Sequence, residues 1–468
     1  MKISVMGAGY VGLTTAACLA EIGHEVLCAD NDEAKLRGLE AGRLPFFEPG
    51  LEAIVTRACQ NGRLRFVEPA AAIASEGVLF ICVGTPPRDN GEADLSAIEA
   101  VARGVARTAS GYRLIVEKST VPVQTAKRLR KHLSAYSRNG LQYDVVSNPE
   151  FLREGSAVED FFHPDRIVVG AESSRARELM TAIYRPLLDQ TFACPVHADA
   201  GCPEQAPPRL IVTDTNSAEL IKHASNSFLA MKISFINMVA DLCEAAGADI
   251  DKVVEGLGSD RRIGPSFLRP GIGFGGFCFP KDLQAFVRIA ENFGCDFALL
   301  KEVEHINARR VEQFVAKVQK ELWTLRGKKL AVWGLAFKPE TDDVRFAPAL
   351  AIIRRLQAEG AQVHAYDPQA RAKAAQELSG VRFHDDPYAA ADEAEAILLL
   401  TEWSEFRRVD WNRIVGAMAR PLLFDGRNML EREVITAHGL HYFAIGKEPA
   451  APMIARQSLG AALAEAAS

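Results

Sequence analysis

The chain has 468 residues, too many for one hydrophobic core, so two or three domains are expected. A formal net charge of -6 leaves no basic excess, which excludes nucleic acid as the main partner. The 9 cysteines show no Cys-x-x-Cys spacing and no long apolar run is present, so the sequence predicts a cytoplasmic protein with no disulfide framework, no metal site and no membrane span.

The first predicted elements form a dinucleotide-binding pattern. Lys2 to Met6 indicates a short buried strand, Gly7 to Gly12 reads Gly-x-Gly-x-x-Gly, and Leu13 to Ile22 is predicted to be helical. A second strand, Glu25 to Ala29, ends at Asp30. The glycines allow a tight turn and close backbone approach to a pyrophosphate, and the acid suits the ribose hydroxyls. Because Asp30 would repel a 2′-phosphate, NAD is predicted rather than NADP.

Further strands and helices alternate as in a doubly wound, mostly parallel sheet. The predicted strands are Val78 to Val83, Leu114 to Glu117, Tyr143 to Ser147 and Ile167 to Val169, and the intervening helices include Leu95 to Thr108 and Val123 to Ser137. Ligands of such sheets lie beyond the carboxyl ends of the strands. We therefore expect ligand contacts at Gly84 to Pro86, Lys118 to Pro122 and Asn148 to Glu154.

A surface loop rich in proline, glycine and alanine is predicted between Cys194 and Arg209. The spacing of apolar residues from Ala218 to Val239 then predicts a helix, with Ser217 as its cap. On this helix Lys222 and Asn226 are four residues apart and share a face. A solvated pair is the ordinary alternative to a functional one.

A glycine-rich stretch from Pro270 to Asp282 contains a single thiol. Four glycines within six positions permit close backbone approach, and Pro280 suits the first turn of a helix. Cys278 then lies at or just before a helix N-terminus, where free N–H groups favour the thiolate, and Asp282 returns to the same face one turn later. The stretch predicts a nucleophile with a nearby base. The structural alternative is a surface loop before a helix with a buried cysteine.

A second α/β unit begins at Lys328, after a long helical pattern from Asp282 to Glu321. Its predicted elements are the strands Lys329 to Trp333, Gln362 to Tyr366, Ala396 to Leu400 and Pro421 to Phe424 and the helix Ala347 to Gln357. It lacks the three-glycine turn, so a different nucleotide is expected. The alanine-rich tail after Glu448 is expected to be mobile or a frayed helix.

The predicted fold class is therefore α/β, with two Rossmann-like doubly wound lobes joined by a central helical region. The expected domains are residues 1-209, which bind the dinucleotide, residues 210-325, which are helical and carry the cysteine stretch, and residues 326-468, which form the second lobe.

Taken in order, these motifs resemble the nucleotide-sugar 6-dehydrogenases of the UDP-glucose/GDP-mannose dehydrogenase family. The resemblance covers nearly the whole chain and rests on Gly7 to Gly12 with Asp30, Phe47 to Leu51, Gly84 to Pro86, Lys118 to Pro122, Asn148 to Glu154, Ala218 to Lys222 with Asn226, Gly273 to Asp282, Lys338, and Thr341 to Arg345. It implies an NAD-dependent, four-electron oxidation of the sugar C6 alcohol. The residues Phe279 to Asp282 favour UDP-glucose as substrate over GDP-mannose and N-acetylated sugars.

The resemblance also implies roles for individual residues. Cys278 captures the aldehyde as a thiohemiacetal, and loss of a second hydride leaves a thioester that water hydrolyses. Lys222 and Asn226 match the groups that stabilise an oxyanion, and Asp282 matches the residue that activates water. Glu150 and Thr120 match positions that assist proton transfer.

Cofactor and substrate contacts are implied in the same way. The NAD contacts are Gly7, Gly9, Tyr10, Val11, Gly12, Asp30, Lys35, Thr85, Pro86, Thr120, Glu154, Lys281 and Arg345. The substrate contacts are Glu150, Phe151, Leu152, Arg153, Glu154, Lys222, Asn226, Arg262, Phe267, Leu268, Arg269, Pro270, Gly271, Gly275 and Lys338. Arg262 resembles an arginine that reaches the substrate of a neighbouring subunit. The chain is thus expected to form a homodimer or a higher even-numbered homo-oligomer through its central helices.

Three departures from the family pattern make the hexose the least constrained part of the prediction. Phe277 stands where a serine usually precedes the cysteine, Gln124 replaces a usual glycine, and the loop from Cys194 to Arg209 is longer than usual. The same chemistry on GDP-mannose or a UDP-N-acetylhexosamine therefore stays open. Two other classes also remain: a single-step NAD-dependent 3-hydroxyacid dehydrogenase, which would not need Cys278, and a non-catalytic dinucleotide sensor.

Overall fold

A computed structural model describes residues 1–88, 90–137, 140–197, 202 and 206–452 of the chain. These residues form two compact units. The first comprises Met1–Asn226 with Gln284–Asp296, and the second comprises Ser227–Leu283 with the chain from Phe297 onward. The division into three domains at residues 209 and 325 stays a prediction. Within the described ranges, no helix is both long enough and apolar enough to cross a bilayer.

The first unit contains one eight-stranded sheet. Its strands are β1 (Lys2–Met6), β2 (Glu25–Ala29), β3 (Leu64–Val67), β4 (Gly77–Ile81), β5 (Tyr112–Glu117), β6 (Gln142–Ser147), β7 (Arg166–Gly170) and β8 (Arg209–Thr213). The helices of this part of the chain are α1 (Tyr10–Glu21), α2 (Glu33–Glu40), α3 (Leu51–Gln60), α4 (Pro69–Ala74), α5 (Ser96–Thr108), α6 (Thr125–Tyr136), α7 (Ala157–Phe162) and α8 (Ser174–Leu188). The long helix α9 (Thr215–Ala246) follows β8.

The strand order of this sheet is β3-β2-β1-β4-β5-β6-β7-β8. All neighbouring strands are parallel except β6 and β7, which are antiparallel. The first six strands follow the Rossmann order, in which ligands bind beyond the carboxyl ends of the central strands. Strands such as β1 and β4 are apolar runs because helices cover both faces of the sheet, where Ile3 and Phe80 are fully buried.

The second unit contains a six-stranded, fully parallel sheet in the order β11-β10-β9-β12-β13-β14. Its strands are β9 (Lys329–Trp333), β10 (Gln362–Tyr366), β11 (Arg382–Phe383), β12 (Ala396–Leu399), β13 (Leu422–Asp425) and β14 (His441–Ala444). The helices of this part of the chain are α10 (Ile250–Ser259), α11 (Cys278–Asn292), α12 (Ala298–Leu322), α13 (Pro348–Ala358), α14 (Arg371–Glu377), α15 (Pro387–Ala391), α16 (Trp411–Ala417) and α17 (Arg432–Ala437), with a 3-10 turn at Ser404–Arg407. This sheet also has the Rossmann order, so the predicted fold class is confirmed.

The long helical pattern predicted from Asp282 to Glu321 is two helices. The first, α11, ends at Asn292 and the second, α12, begins at Ala298. Gly294 lies between them with φ +72, a left-handed conformation that ends a helix.

Two further details of the predicted elements are corrected. The cap of α9 is Asp214, which accepts a hydrogen bond from the Ser217 N–H at 2.8 Å, so Ser217 is not the cap. The strands β3, β8, β11 and β14 were not predicted. Residues 198–201 and 203–205 of the predicted loop, and residues 453–468 of the tail, lie outside the described residues.

Candidate active site

The turn between β1 and α1 contains the three glycines of the predicted dinucleotide motif. A Cβ on Gly12 would lie 1.8 Å from the carbonyl oxygen of Gly7, and Gly7 itself has φ +103. A Cβ on Gly9 would meet no described atom within 4 Å. Helix α1 then begins at Tyr10, followed by Val11, and no side chain among the described residues caps it. The N-terminus of α1 is therefore suited to a phosphate, as the sequence predicts.

Asp30, at the end of β2, is held by three hydrogen bonds. Its carboxylate accepts the Ala8 N–H at 2.8 Å, the Asp32 N–H at 3.0 Å and the Lys35 ammonium at 2.9 Å. Burial raises the pKa of Asp30, but the hydrogen bonds outweigh it and lower the pKa below its ordinary value. The group is thus an anion beside the glycine turn, and it pairs with Lys35, which is itself a predicted NAD contact.

Glu48 fixes the start of α7, a role that the sequence analysis missed. Its buried carboxylate accepts the Gly155 and Ala157 N–H groups, each at 2.6 Å, and the Tyr10 hydroxyl. The Tyr10 ring packs at 5.0 Å from Phe46. Because the Tyr10 side chain is committed to Glu48, we expect this residue to meet NAD through its backbone. The signal for this role was the motif from Phe47 to Leu51, which was noted without a function.

Lys222, on α9, forms a buried ion pair with Glu150. Their Nζ and Oε1 atoms are 2.9 Å apart, and each side chain is 5% exposed. The Lys222 ammonium also lies 5.3 Å from the centre of the Phe151 ring. Asn226, one turn further along α9, is 8% exposed. Lys222 and Asn226 are therefore both buried, and the solvated alternative for these two residues is wrong. The charge of Lys222 is balanced by Glu150.

A second buried lysine, Lys118, belongs to the same unit. Its Nζ lies 3.3 Å from Asn148 Oδ1 and 3.5 Å from the Tyr184 hydroxyl. Burial lowers the pKa of Lys118, partly offset by the charge of Glu150. The sequence placed Lys118 and Asn148 in ligand-facing segments without assigning either a role.

The remaining predicted contacts of the first unit follow strand ends. Thr85, after β4, donates to the carbonyl oxygen of Thr120, after β5, at 3.0 Å, and Pro86 is exposed beside it. After β6, Leu152 is half-buried and Glu154 is buried, whereas Arg153 is exposed and pairs with Asp160. The structure thus brings Thr85 and Thr120 together and turns the Arg153 side chain to solvent.

In the second unit Cys278 is the first residue of α11, as predicted. Pro280 lies in the first turn, and Asp282 follows Cys278 at i+4 on the same helix. The Asp282 carboxylate is 1% exposed and its Oδ1 lies 2.9 Å from Lys281 Nζ. The position of the thiol at a helix start is confirmed, and its role as a nucleophile stays a prediction.

Hydrogen bonds hold the glycine-rich stretch before Cys278 in one conformation. Asn307 accepts from the Phe274 N–H at 2.9 Å and donates to its carbonyl at 3.0 Å. The Arg427 guanidinium donates to the carbonyl of Gly273 at 2.9 Å. These bonds fix the chain that leads to the thiol.

Two glycines of this stretch are required by the protein's own packing. A Cβ on Gly275 would lie 2.3 Å from the carbonyl oxygen of Phe346, and one on Gly276 would lie 2.7 Å from the Phe337 ring. The close approach that the glycines predict is therefore, at these two positions, an approach to the loop after β9.

Phe277, the residue that departs from the family pattern, is a contact for two cations. The Arg345 guanidinium lies 4.5 Å from its ring centre and the Lys281 ammonium 5.5 Å. Arg345 also pairs with Asp343 at 2.6 Å. Both cations are predicted NAD contacts, so Phe277 helps to position them within this unit.

The other predicted substrate residues of the second unit have varied surroundings. Arg262, after α10, is 89% exposed and pairs with Asp260 at 2.6 Å. Phe267 has φ +63 and its ring lies 6.2 Å from Phe279. Of the residues that follow Phe267, Arg269 is exposed, whereas Leu268, Pro270 and Gly271 are buried. Lys338 lies on the loop after β9. The predicted site residues are therefore divided between the two units.

Asp367 ends β10 as Asp30 ends β2. Its Oδ2 accepts the N–H groups of Leu335 at 2.7 Å and Ala336 at 3.1 Å, and the Trp403 indole N–H at 3.0 Å. Its Oδ1 accepts the N–H groups of Gln369 and Ala370 at 2.9 and 2.7 Å.

Four potential metal ligands, His163, Cys194, His197 and Cys202, lie together in the first unit. The sequence predicts no metal site, and that expectation stays a prediction. Cys194, His197 and Cys202 are near one another in the sequence, but the fourth potential ligand, His163, is distant from them, so spacing did not indicate a complete site.

Sequence profiles of one family match three parts of the chain. These are the NAD binding domain of the UDP-glucose/GDP-mannose dehydrogenase family over residues 1–188, its central domain over residues 216–309 and its UDP binding domain over residues 331–432.

Individual relatives match over almost their whole length. A UDP-glucose 6-dehydrogenase of Rhizobium meliloti is 44% identical over 96% of this chain and 100% of that protein, and UDP-glucose 6-dehydrogenase TuaD of Bacillus subtilis is 42% identical over 95% and 93%. Among solved structures, a UDP-glucose dehydrogenase from Pyrobaculum islandicum is 38% identical, with a TM-score of 0.85 over 96% of this chain and 98% of that one. The chain therefore belongs to the UDP-glucose/GDP-mannose dehydrogenase family.

Proposed function

We propose that this chain oxidises UDP-glucose to UDP-glucuronate with NAD. The relatives named UDP-glucose 6-dehydrogenase are 39 to 44% identical over nearly the whole chain. The observation that carries the chemistry is Cys278 as the first residue of α11, with Asp282 one turn later. Neither a single-step dehydrogenase nor a sensor requires a thiol at a helix N-terminus with a carboxylate one turn later.

The residues of the first unit fit NAD. The open space at Gly9 and the first turn of α1 suit the pyrophosphate, and the ionised Asp30 suits the ribose hydroxyls. When bound, NAD supplies the acceptor for the hydrides that leave the sugar. We assign the further contacts of this unit to Val11, Lys35, Thr85, Pro86, Thr120 and Glu154, and Lys281 and Arg345 stay predicted NAD contacts.

Cys278 divides the oxidation into two stages. The C6 alcohol first loses a proton and a hydride to give the aldehyde, and the thiolate adds to C6 to form a C–S bond. The resulting alkoxide loses a second hydride and becomes a thioester, in which C6 has the oxidation level of the acid. Water then attacks C6, the C–S bond breaks, and the thiolate and the carboxylate are released. The covalent bond prevents the aldehyde from escaping between the two stages.

Acid–base and electrostatic roles are assigned to the predicted residues. Lys222 and Asn226 stabilise negative charge on the C6 oxygen, a task that suits a buried cation and an amide donor. Glu150, paired with Lys222 at 2.9 Å, and Thr120 assist proton transfer. Asp282 activates the water that cleaves the thioester. The Lys281 ammonium lies 2.9 Å from its carboxylate.

The substrate contacts are proposed in the same way. The backbone from Phe267 to Gly271 and at Gly275 holds the nucleotide, Lys338 contacts the pyrophosphate or ribose, and the segment from Glu150 to Glu154 contacts the sugar.

We further propose a homodimer formed through α9. Phe228, Phe235, Met238 and Leu242 lie along this helix and are 40 to 67% exposed. Large apolar residues in such a row on one helix mark an association surface. The exposed Arg262 then serves the neighbouring subunit. Light scattering should show a dimer, and Leu242→Glu should shift it toward the monomer, whereas an unchanged dimer would place the interface elsewhere.

The experiment that tests the function is the number of NADH molecules formed per sugar consumed. UDP-glucose is compared with UDP-galactose, UDP-N-acetylglucosamine and GDP-mannose. Two NADH per UDP-glucose, with little product from the other sugars, is the expected result. One NADH would show that Cys278 does not capture the aldehyde and would favour a single-step dehydrogenase. NADH binding without turnover on any sugar would favour the sensor.

A further inference from the structure

A cluster of four soft ligands lies in the first unit, outside the residues assigned to the reaction. His163 directly follows α7, and Cys194 and His197 lie in the segment after α8. One potential ligand atom from each of these residues and from Cys202 lies within 4.8 Å of every other. His163, Cys194 and His197 are half-buried and Cys202 is exposed.

The separations of these atoms are those of a tetrahedral metal site. His163 Nε2 lies 3.1 Å from Cys194 Sγ and 3.7 Å from Cys202 Sγ, and Cys194 Sγ lies 3.6 Å from His197 Nδ1. Around a zinc ion with Zn–S of about 2.3 Å and Zn–N of about 2.0 Å, nitrogen and sulfur ligands are about 3.5 Å apart. Thiol–imidazole hydrogen bonds would explain individual pairs, but they do not require all four groups to converge on one point.

A carboxylate lies near the His197 ring, and aromatic rings pack beside His163. His197 directs Nδ1 toward the cluster, and its Nε2 lies 3.9 Å from a carboxylate oxygen of Glu159. A carboxylate behind a ligand histidine fixes the ring and its tautomer. On the other histidine, the His163 ring centre lies 6.0 Å from that of Phe192, which stacks on the buried Phe162 at 5.4 Å.

We propose that His163, Cys194, His197 and Cys202 bind one Zn²⁺ ion. Two thiolates and two imidazoles in a tetrahedral arrangement are a zinc ligand set, and four protein ligands leave no position for a substrate. The site is therefore structural. Binding releases the two thiol protons to solvent and changes no oxidation state. The ion fastens the segment after α8 to the end of α7, whose other end is held by Glu48.

The first test is the zinc content of the full chain. Protein reduced and reconstituted with Zn²⁺, then freed of excess metal, is analysed by mass spectrometry of the metal and by titration with a zinc-binding dye. About one zinc ion per chain is expected, and Co²⁺ in its place should give a thiolate charge-transfer band and the intense visible bands of tetrahedral cobalt. A content below about one tenth of an ion per chain would overturn the proposal.

Variants locate the ion. Cys202→Ser removes an exposed side chain, so folding should persist, and zinc content should fall at least about tenfold. Cys59→Ser, at an exposed cysteine outside the cluster, is the matched control and should keep its zinc. A chelator should lower the melting temperature of the wild type and leave that of Cys202→Ser unchanged. Equal zinc in Cys202→Ser and the wild type, or a Cys194 to Cys202 disulfide in protein kept under reducing conditions, would overturn the proposal.

Discussion

Two glycines of the β1–α1 turn should respond differently to the same added methyl group. A Cβ on Gly12 would lie 1.8 Å from the Gly7 carbonyl oxygen, and real contacts begin near 3.0 Å, so backbone must move by more than 1 Å. Overpacking of this kind costs about 3 kcal/mol, and the helix propensity of alanine returns about 1 kcal/mol. We therefore expect Gly12→Ala to lower the free energy of unfolding by about 2 kcal/mol.

Gly9→Ala is the matched control for stability and the sharper probe of function. Gly9 has φ -79, which alanine adopts without strain, and its Cβ would enter open space. Stability should change by less than about 0.5 kcal/mol. If the pyrophosphate lies against this turn, however, the methyl group meets the ligand, and the Kd for NAD should rise at least about tenfold, or 1.4 kcal/mol.

The chain offers an internal reference for the assay. All 4 tryptophans, at positions 323, 333, 403 and 411, lie in the second unit. Urea unfolding followed by tryptophan fluorescence therefore reports the second unit, whereas circular dichroism reports both. Gly12→Ala should shift the part of the circular dichroism transition that belongs to the first unit and leave the fluorescence transition unchanged. Unchanged circular dichroism for Gly12→Ala, or unchanged NAD affinity for Gly9→Ala, would refute the reasoning.

Four further changes test other residues. Asp30→Ala should narrow the preference for NAD over NADP in kcat/KM by at least about tenfold, because the anion that repels a 2′-phosphate is removed. Lys222→Met should lower kcat by about a hundredfold or more and change the Kd of UDP-glucose far less, because its contribution belongs to the transition state. Gln124→Gly should raise the free energy of unfolding, measured with urea, by about 1 kcal/mol, because Gln124 has φ 77 at the start of α6 and glycine adopts this left-handed conformation without strain. Burial raises the pKa of Glu117 to about 8 against the hydrogen bonds that lower it. Stability should therefore fall as pH rises from about 4.5 toward 8, and Glu117→Gln should flatten that slope.

Each of these expectations has a result that contradicts it. Unchanged coenzyme selectivity in Asp30→Ala would remove the acid from the NAD site. Equal losses of kcat and affinity in Lys222→Met would make it a binding residue only. A destabilised Gln124→Gly would mean that the glutamine side chain compensates for its backbone. A Glu117→Gln variant with the pH profile of the wild type would show that Glu117 ionises alike in the folded and unfolded chain.

Features set by local chemistry were predictable from the sequence. Gly7 and Gly12 are required by a turn that only a few residues define, and Pro280 marks the first turn of the helix that Cys278 begins. Ten of the fourteen strands that the structure describes, all except β3, β8, β11 and β14, were predicted for the same reason, because their own residues indicate them.

Features set by long-range contacts were not predictable. The roles of Glu48 and Asp214 depend on which N–H groups the fold brings to them. The edge strand β11 has two residues and no apolar run, so only its neighbour β10 defines it. Cys194, His197 and Cys202 lie close together in the sequence, but His163 is supplied by another element, so the sequence shows only part of the cluster.

The carboxylate at the end of β10 shows why two sheets of the same strand order need not accept the same ligand. A carboxylate offers about four lone-pair positions. Those of Asp367 face donors from Leu335, Ala336, Gln369, Ala370 and Trp403. No acceptor capacity is left there for the two hydroxyls of a ribose. In the second unit, Asp367 therefore holds the surrounding loops together and cannot accept the hydroxyls of a ribose, which is the role proposed for Asp30 in the first.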